Sequence, residues 1–207
     1  MSDDRNTVLA AIARSRAGTA EARAAAAEHR IARPPQPIPL GFVADAAARG
    51  QSLADVFAEV ATRAGATVHR VADAAAVAET LRRIWTERDH RGPLVRADDP
   101  LCAACDDLAE THTGAATGAE SVGIGRAVAA IAETGSLVLL SAAETPTTAN
   151  FLPETHIVVV GESEVVPAFE GFWQTLRGRN DLPRTVNLIT GPSRTGDIEL
   201  TLQIGVH

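Results

Sequence analysis

Five successive residues, His156-Ile157-Val158-Val159-Val160, are apolar or β-branched after the first and stop at Gly161. A run this short and this free of polar alternation reads as the central strand of a sheet covered on both faces. The segments around it alternate. Ser52-Leu53-Ala54-Asp55 is a capping-box-like start, with Val56, Phe57 and Val60 at helical spacing up to Gly65. Ala66 to Val71 reads as a strand, Asp73 caps a second helix through Val77, Leu81, Ile84 and Trp85, and Pro93-Leu94-Val95-Arg96 is a short strand. Asp99-Pro100 opens a third, short helix, Ala168 to Arg177 is amphipathic, and Thr185 to Ile189 is a last apolar strand. Ala129 to Glu133 and Ser136 to Leu140 flank Thr134-Gly135 as a hairpin, with an alanine-rich helix before the turn as the alternative. This alternation predicts an α/β fold with a mostly parallel sheet.

The first 32 residues are rich in Ala and Arg, with a thin apolar face at Val8, Leu9 and Ile12, and read as an N-terminal helical arm. Residues 33–39 carry four prolines and form an extended linker, so the α/β domain is expected over 40–207. Nothing approaches the roughly 18 apolar residues of a membrane span. The N-terminus has no basic region followed by an apolar core, so a cytoplasmic location is expected. A net charge of -7 with arginines spread along the chain argues against a nucleic-acid partner. All nineteen basic residues are arginine and tyrosine is absent, which excludes Schiff-base chemistry, a phosphate loop built on lysine, and a tyrosine-lysine proton relay.

The stretch Thr190-Gly191-Pro192-Ser193-Arg194-Thr195-Gly196-Asp197-Ile198-Glu199 reads as a tight turn running into the first turn of a helix. Amides from Arg194 to Ile198 would attract an anion there, and Arg194 adds a forked positive charge. Asp197 and Glu199 suit the positive end of that helix themselves, so the expected site is charge-balanced and centred on Arg194. Glu133-Thr134-Gly135-Ser136 sets a carboxylate and a hydroxyl at a turn beside Ile131, Leu137 and Val138. Desolvation there would raise the carboxyl pKa toward acid-base or nucleophilic use; pairing with an arginine such as Arg194 is the structural alternative.

Three weaker signals read as structure. Cys102-Ala103-Ala104-Cys105 has metal-like spacing, but no second pair completes a site, so no metal is expected and the thiols read as packing. Val122-Gly123-Ile124-Gly125-Arg126-Ala127-Val128 lacks the third glycine of a dinucleotide fingerprint and reads as a turn needing flexible backbone. His156, at a strand entrance, reads as packed or hydrogen-bonded.

Ala129-Ala130-Ile131-Ala132-Glu133-Thr134-Gly135-Ser136-Leu137-Val138-Leu139, then Leu152-Pro153-Glu154-Thr155-His156-Ile157-Val158-Val159-Val160, Gly191 to Glu199 and Gly205-Val206-His207 resemble, in this order, the LUD domain family of lactate utilisation protein C. The resemblance covers about Leu40 to His207 and is strongest after Val122. Two departures stand out: Ser141 to Asn150 is rich in Thr and Ala where relatives often carry a Gly/Arg-containing loop, and relatives usually continue past His207. The resemblance implies a Rossmann-like sheet of the sugar-phosphate isomerase and CoA-transferase type. It also implies a place in a three-component system that oxidises L-lactate to pyruvate, with iron-sulfur clusters in the partner subunits. Two cysteines fall short of the four that a cluster needs, so this chain is expected to be the cluster-free component.

The expected site therefore takes Glu133 as the catalytic residue, and Thr134, Gly135, Gly191, Ser193, Arg194, Thr195, Asp197 and Glu199 as contacts to a small carboxylate or phosphorylated ligand. The alternatives are a stand-alone isomerase or acyl-CoA transferase using Glu133, and a non-catalytic binding or scaffold module.

Overall fold

The computed structural model describes residues 19–32, 41–179, 181–192, 194–195 and 203–204. The chain divides into two units, Met1–Gln36 and Pro37–His207. The described part of the first is one alanine-rich helix, α1 (Ala20–Ala32), whose start is capped by the Thr19 hydroxyl accepting from the Ala22 amide.

In the second unit the local signals act as chemistry dictates. α2 (Gly41–Ala48) precedes α3 (Leu53–Arg63), where Ser52 and Asp55 close a reciprocal capping box. Asp73 caps α4 (Ala74–Glu87) through the Ala76 amide. Eight strands follow: β1 (Leu94–Arg96), β2 (Thr111–Thr113), β3 (Val122–Arg126), β4 (Ala129–Ile131), β5 (Ser136–Leu140), β6 (Thr155–Val159), β7 (Val165–Val166) and β8 (Val186–Ile189). Between them lie the short α5 (Thr148–Phe151) and α6 (Phe169–Arg177).

The strands form two four-stranded sheets. One, ordered β2-β1-β3-β6, is parallel throughout. The other, ordered β7-β4-β5-β8, pairs β4 with β7 in parallel and sets β5 antiparallel to both β4 and β8. Parallel pairing therefore predominates, as expected. The sheets are joined along the chain: β3 passes through Ala127 and Val128 into β4, and the amides of those two residues bond the carbonyls of Val159 and Val138. The same two neighbours, β3-β4 and β6-β7, thus stay paired across the junction.

Helices cover the sheets in layers. α4 packs Val77 and Leu81 against Leu94, Val122 and Ile124 of the parallel sheet. α2 and α3 set Val43, Val56, Phe57 and Ala61 against Ala130 and Ala132 on one face of the second sheet, and α6 sets Phe172 and Leu176 against Ile131 and Val138 on the other. Burying a side chain of this kind stabilises by roughly 1.5–3 kcal/mol before conformational entropy is counted.

Four local readings change. The run read as the central strand is β6, which ends at Val159 and lies at the edge of the parallel sheet among the described strands, and its residues are only half-buried. Ala66 to Val71 joins no ladder among the described residues; Ala66 bonds back to Ala61 at the end of α3 and Val68 packs against the α2-α3 core. The helix at Asp99-Pro100 shrinks to one 3-10 turn, Ala103–Cys105. Gly123 and Gly125 lie inside β3, not in a turn. A Cβ on Gly123 would stand 2.6 Å from the Ala149 carbonyl, and one on Gly125 2.8 Å from Nε2 of His156. Both glycines are there for close approach.

Candidate functional site

The β4-β5 hairpin forms as expected, with Thr134-Gly135 at its tip. At the other side of β5, β8 pairs so that Leu137 faces Ile189, and the two turns Glu133-Thr134-Gly135 and Thr190-Gly191 become neighbours. Three hydroxyls connect them: Thr134 Oγ1 lies 2.7 Å from Ser136 Oγ, which lies 2.6 Å from Thr190 Oγ1. Ser136 is buried and Thr190 is exposed, so the chain of hydroxyls leads from the core to the surface.

Both glycines hold a φ of 68°, which favours a residue without Cβ. Each turn rests on the end of α3. A side chain on Gly135 would meet the Ala61 amide at 2.6 Å, and one on Gly191 would meet the Ala64 carbonyl.

Glu133 is half-buried, and its Oε1 accepts the Phe169 amide at 3.1 Å. The N-cap of α6 is Ala168, which has no side-chain acceptor, so a carboxylate 36 positions before Phe169 caps the helix. The Oε2 atom accepts no hydrogen bond among the described residues.

The segment after Gly191 departs from expectation. Arg194–Thr195 is a strand, β9, paired antiparallel with β10 (Gln203–Ile204), where a helix start was read. Pairing with a segment eight positions on has overridden local capping chemistry. Only the backbone of Arg194 and Thr195 is described, and Ser193, Asp197 and Glu199 lie outside the described residues. The Thr134-Gly135 turn and Gly191 are thus neighbours, while the Glu133 carboxylate is directed at the start of α6, and the remaining expected contacts follow in the chain.

Other titratable groups explain themselves by packing. Cys102 and Cys105 are fully buried in the α4 core, and burial pushes their thiols up to about 12 and about 11. Burial alone would raise the Glu120 carboxyl, but hydrogen bonds from His112 and Thr117 outweigh it and hold the group at about 2. The same bond raises the His112 pKa. Burial pushes His156 down to about 4, and its buried Nε2 has no hydrogen-bond partner among the described residues. Sequence reading overlooked Arg96 and Arg126, at the carboxyl ends of β1 and β3, each clamped by a carboxylate: Arg96 by Asp106 and Arg126 by Glu164. Their position as the last residue of an apolar strand was the available signal.

Comparison with known proteins places this geometry. The family model of the LUD domain matches residues 106–207. Lactate utilization protein C of Geobacillus thermodenitrificans is 40% identical over 91 residues, covering 42% of this chain and 38% of that protein. The Bacillus subtilis protein of the same name is 36% identical over the same shares, and the uncharacterized protein YkgG of Escherichia coli is 36% identical over 90 residues. The matched stretch therefore spans well under half the length of these relatives. A crystal structure of a DUF162 family protein from Deinococcus radiodurans superposes with a TM-score of 0.51 at 19% identity, over 67% of this chain and 87% of that one, a likeness of fold. The stretch that matches the LUD domain family, just under half of this chain, contains both turns.

Proposed function

We propose that this chain is a component of a lactate utilisation system. The finer reading is that it works in the oxidation of L-lactate to pyruvate, in the cytoplasm, beside subunits that carry iron-sulfur clusters. The observation that supports it best is the stretch of 91 residues shared with relatives named lactate utilization protein C. The described residues include no helix long and apolar enough to cross a membrane. With two cysteines the chain is too poor in thiolates to hold a cluster itself.

Within that reading, a small carboxylate or phosphorylated ligand is held between the two turns. Thr134, Gly135 and Gly191 form the near side, and Ser193, Arg194, Thr195, Asp197 and Glu199 complete it. The pairing of Ser136 with Thr190 supports this placement. Deletion of the gene should abolish growth on L-lactate while leaving growth on glucose intact, and the tagged full chain should bring down proteins containing iron and acid-labile sulfide. Normal growth of the deletion strain on lactate would remove the physiological reading.

A second reading, a stand-alone isomerase or acyl-CoA transferase, draws on the unengaged Oε2 of Glu133. Turnover of sugar phosphates or acyl-CoAs by the isolated chain, lost in Glu133→Gln, would support it. A Glu133→Gln variant with full turnover would take Glu133 out of the mechanism.

A further inference from the structure

On the face of the second sheet that α6 covers, closure is incomplete at one end. Val128 and Ala129, where the chain enters β4, and Leu140, where it leaves β5, share that end, and a pocket open to solvent lies between them and Phe172 and Leu176 of α6. It encloses about 260 Å³. Apolar cavities of roughly 150 Å³ take up benzene, so this one admits a body larger than a single ring. Buried Phe172 and Leu176 form its floor, half-buried Leu140 and Val166 its walls, and Val128 stays 39% exposed at its rim.

The polar groups of the pocket are few and leave one charge unbalanced. Glu164 is the carboxylate in its lining and is already neutralised: its two oxygens accept from the two Nη atoms of Arg126 at 2.7 Å, and one of them accepts the Gly161 amide at 2.6 Å. Arg179 differs. Its backbone is fixed by the bond from its amide to the Leu176 carbonyl, but its guanidinium makes no ion pair or hydrogen bond among the described residues. Ser163 likewise brings a free hydroxyl to the lining. Arg177, at the end of α6, is also unpaired among the described residues, and two full positive charges exceed the roughly half-unit negative charge of a helix C-terminus. A free guanidinium fork beside an apolar pocket suits a carboxylate with an apolar body: the fork takes the two oxygens and the pocket takes the rest.

We propose that this pocket binds a monocarboxylate whose apolar body is larger than a benzene ring, with Arg179 and Ser163 on the carboxylate and Phe172, Leu176, Leu140 and Val128 on the body. The site lies at the end of the β4-β5 hairpin opposite to the Thr134-Gly135 turn, so it is separate from the paired turns and does not depend on the lactate reading. The body can be an aliphatic chain or an aromatic group, and one titration distinguishes the two.

The full chain is titrated calorimetrically with octanoate, phenylbutyrate, octanol and L-lactate. Octanoate or phenylbutyrate should saturate one site, and the tighter of the two assigns the aliphatic or the aromatic body. Octanol keeps the body and loses the charge, and should bind about tenfold more weakly or worse. L-Lactate keeps the charge and lacks the body, and should also bind about tenfold more weakly or worse. Arg179→Gln, at an exposed position whose side chain makes no bond among the described residues, should bring octanoate down to the affinity of octanol. Val128→Trp, at the exposed rim, should block both. The proposal is overturned when neither long acid binds, as a segment of the chain seated in the pocket would cause, when octanol or L-lactate binds as tightly as the acids, or when either variant binds octanoate as the parent does.

Discussion

Gly135 and Gly191 are matched positions: both have a φ of 68°, and both lie against the backbone at the end of α3. The two turns sit side by side through the pairing of β5 with β8, and the helix end leaves no room for a side chain on either. Alanine at either site meets a backbone clash and a left-handed conformation that alone costs about 1–3 kcal/mol. Gly135→Ala and Gly191→Ala should each lower the urea midpoint clearly, and an unchanged midpoint for either would show that the turn can move away from α3.

The hydroxyl chain makes a smaller claim. Ser136→Ala removes the middle member between Thr134 and Thr190 and should cost about 1 kcal/mol, the usual net worth of a hydrogen bond. Thermal denaturation checks it. A loss of ligand affinity larger than the loss of stability would assign the hydroxyls to the site and not to the fold alone.

Substitutions separate the cap that Glu133 provides from its charge. Glu133→Gln keeps an acceptor for the Phe169 amide, so stability should change little. Glu133→Ala removes the cap of α6 and should cost about 0.5–2 kcal/mol. Equal stability of the alanine variant and the parent would mean that the cap contributes nothing.

The His112-Glu120 pair ties stability to pH with opposite signs. Glu120 is held at about 2 against an ordinary 4.5, so its contribution is present above 4.5 and is lost as pH falls toward 2. His112 is raised above 6.5, so its contribution is full below 6.5 and is lost as pH rises through its folded value. Chemical denaturation across pH should show this pair contributing most between about 4.5 and 6.5. Glu120→Gln should flatten the acid limb; an unchanged acid limb would assign it to other carboxylates.

Gly125→Ala would press a methyl group against Nε2 of His156 at 2.8 Å and a Leu139 methyl at 3.0 Å. A destabilisation of about 1–3 kcal/mol is expected from overpacking of this kind. Relief by His156→Ala in the double variant is the check, and additive losses would mean that the two side chains do not meet.

The readable parts of this chain were those decided within a few residues. Ser52 and Asp55 cap α3 whatever lies beyond, Asp73 caps α4, and Thr134-Gly135 turns the hairpin because neighbouring β-strands need a tight reversal there. The motifs around Glu133 and Gly191 were legible as turns for the same reason. Their adjacency was not, since it rests on the register of β5 against β8, a pairing across about fifty residues.

By itself, then, the sequence determined the starts of α3 and α4, most of the apolar strands and the α/β class, because caps, periodicity and turn chemistry are local. Tertiary structure decided everything that depends on a partner. His156 to Val159 became an edge because β3 pairs it on one side only among the described strands, and Ala66 to Val71 pairs with none of them. The glycines of β3 became points of contact with α5 and His156, and Glu133 became the cap of a helix that lacks one of its own. Hydrogen-bond partners and close approaches of this kind join residues far apart in the chain, where local propensity carries no information.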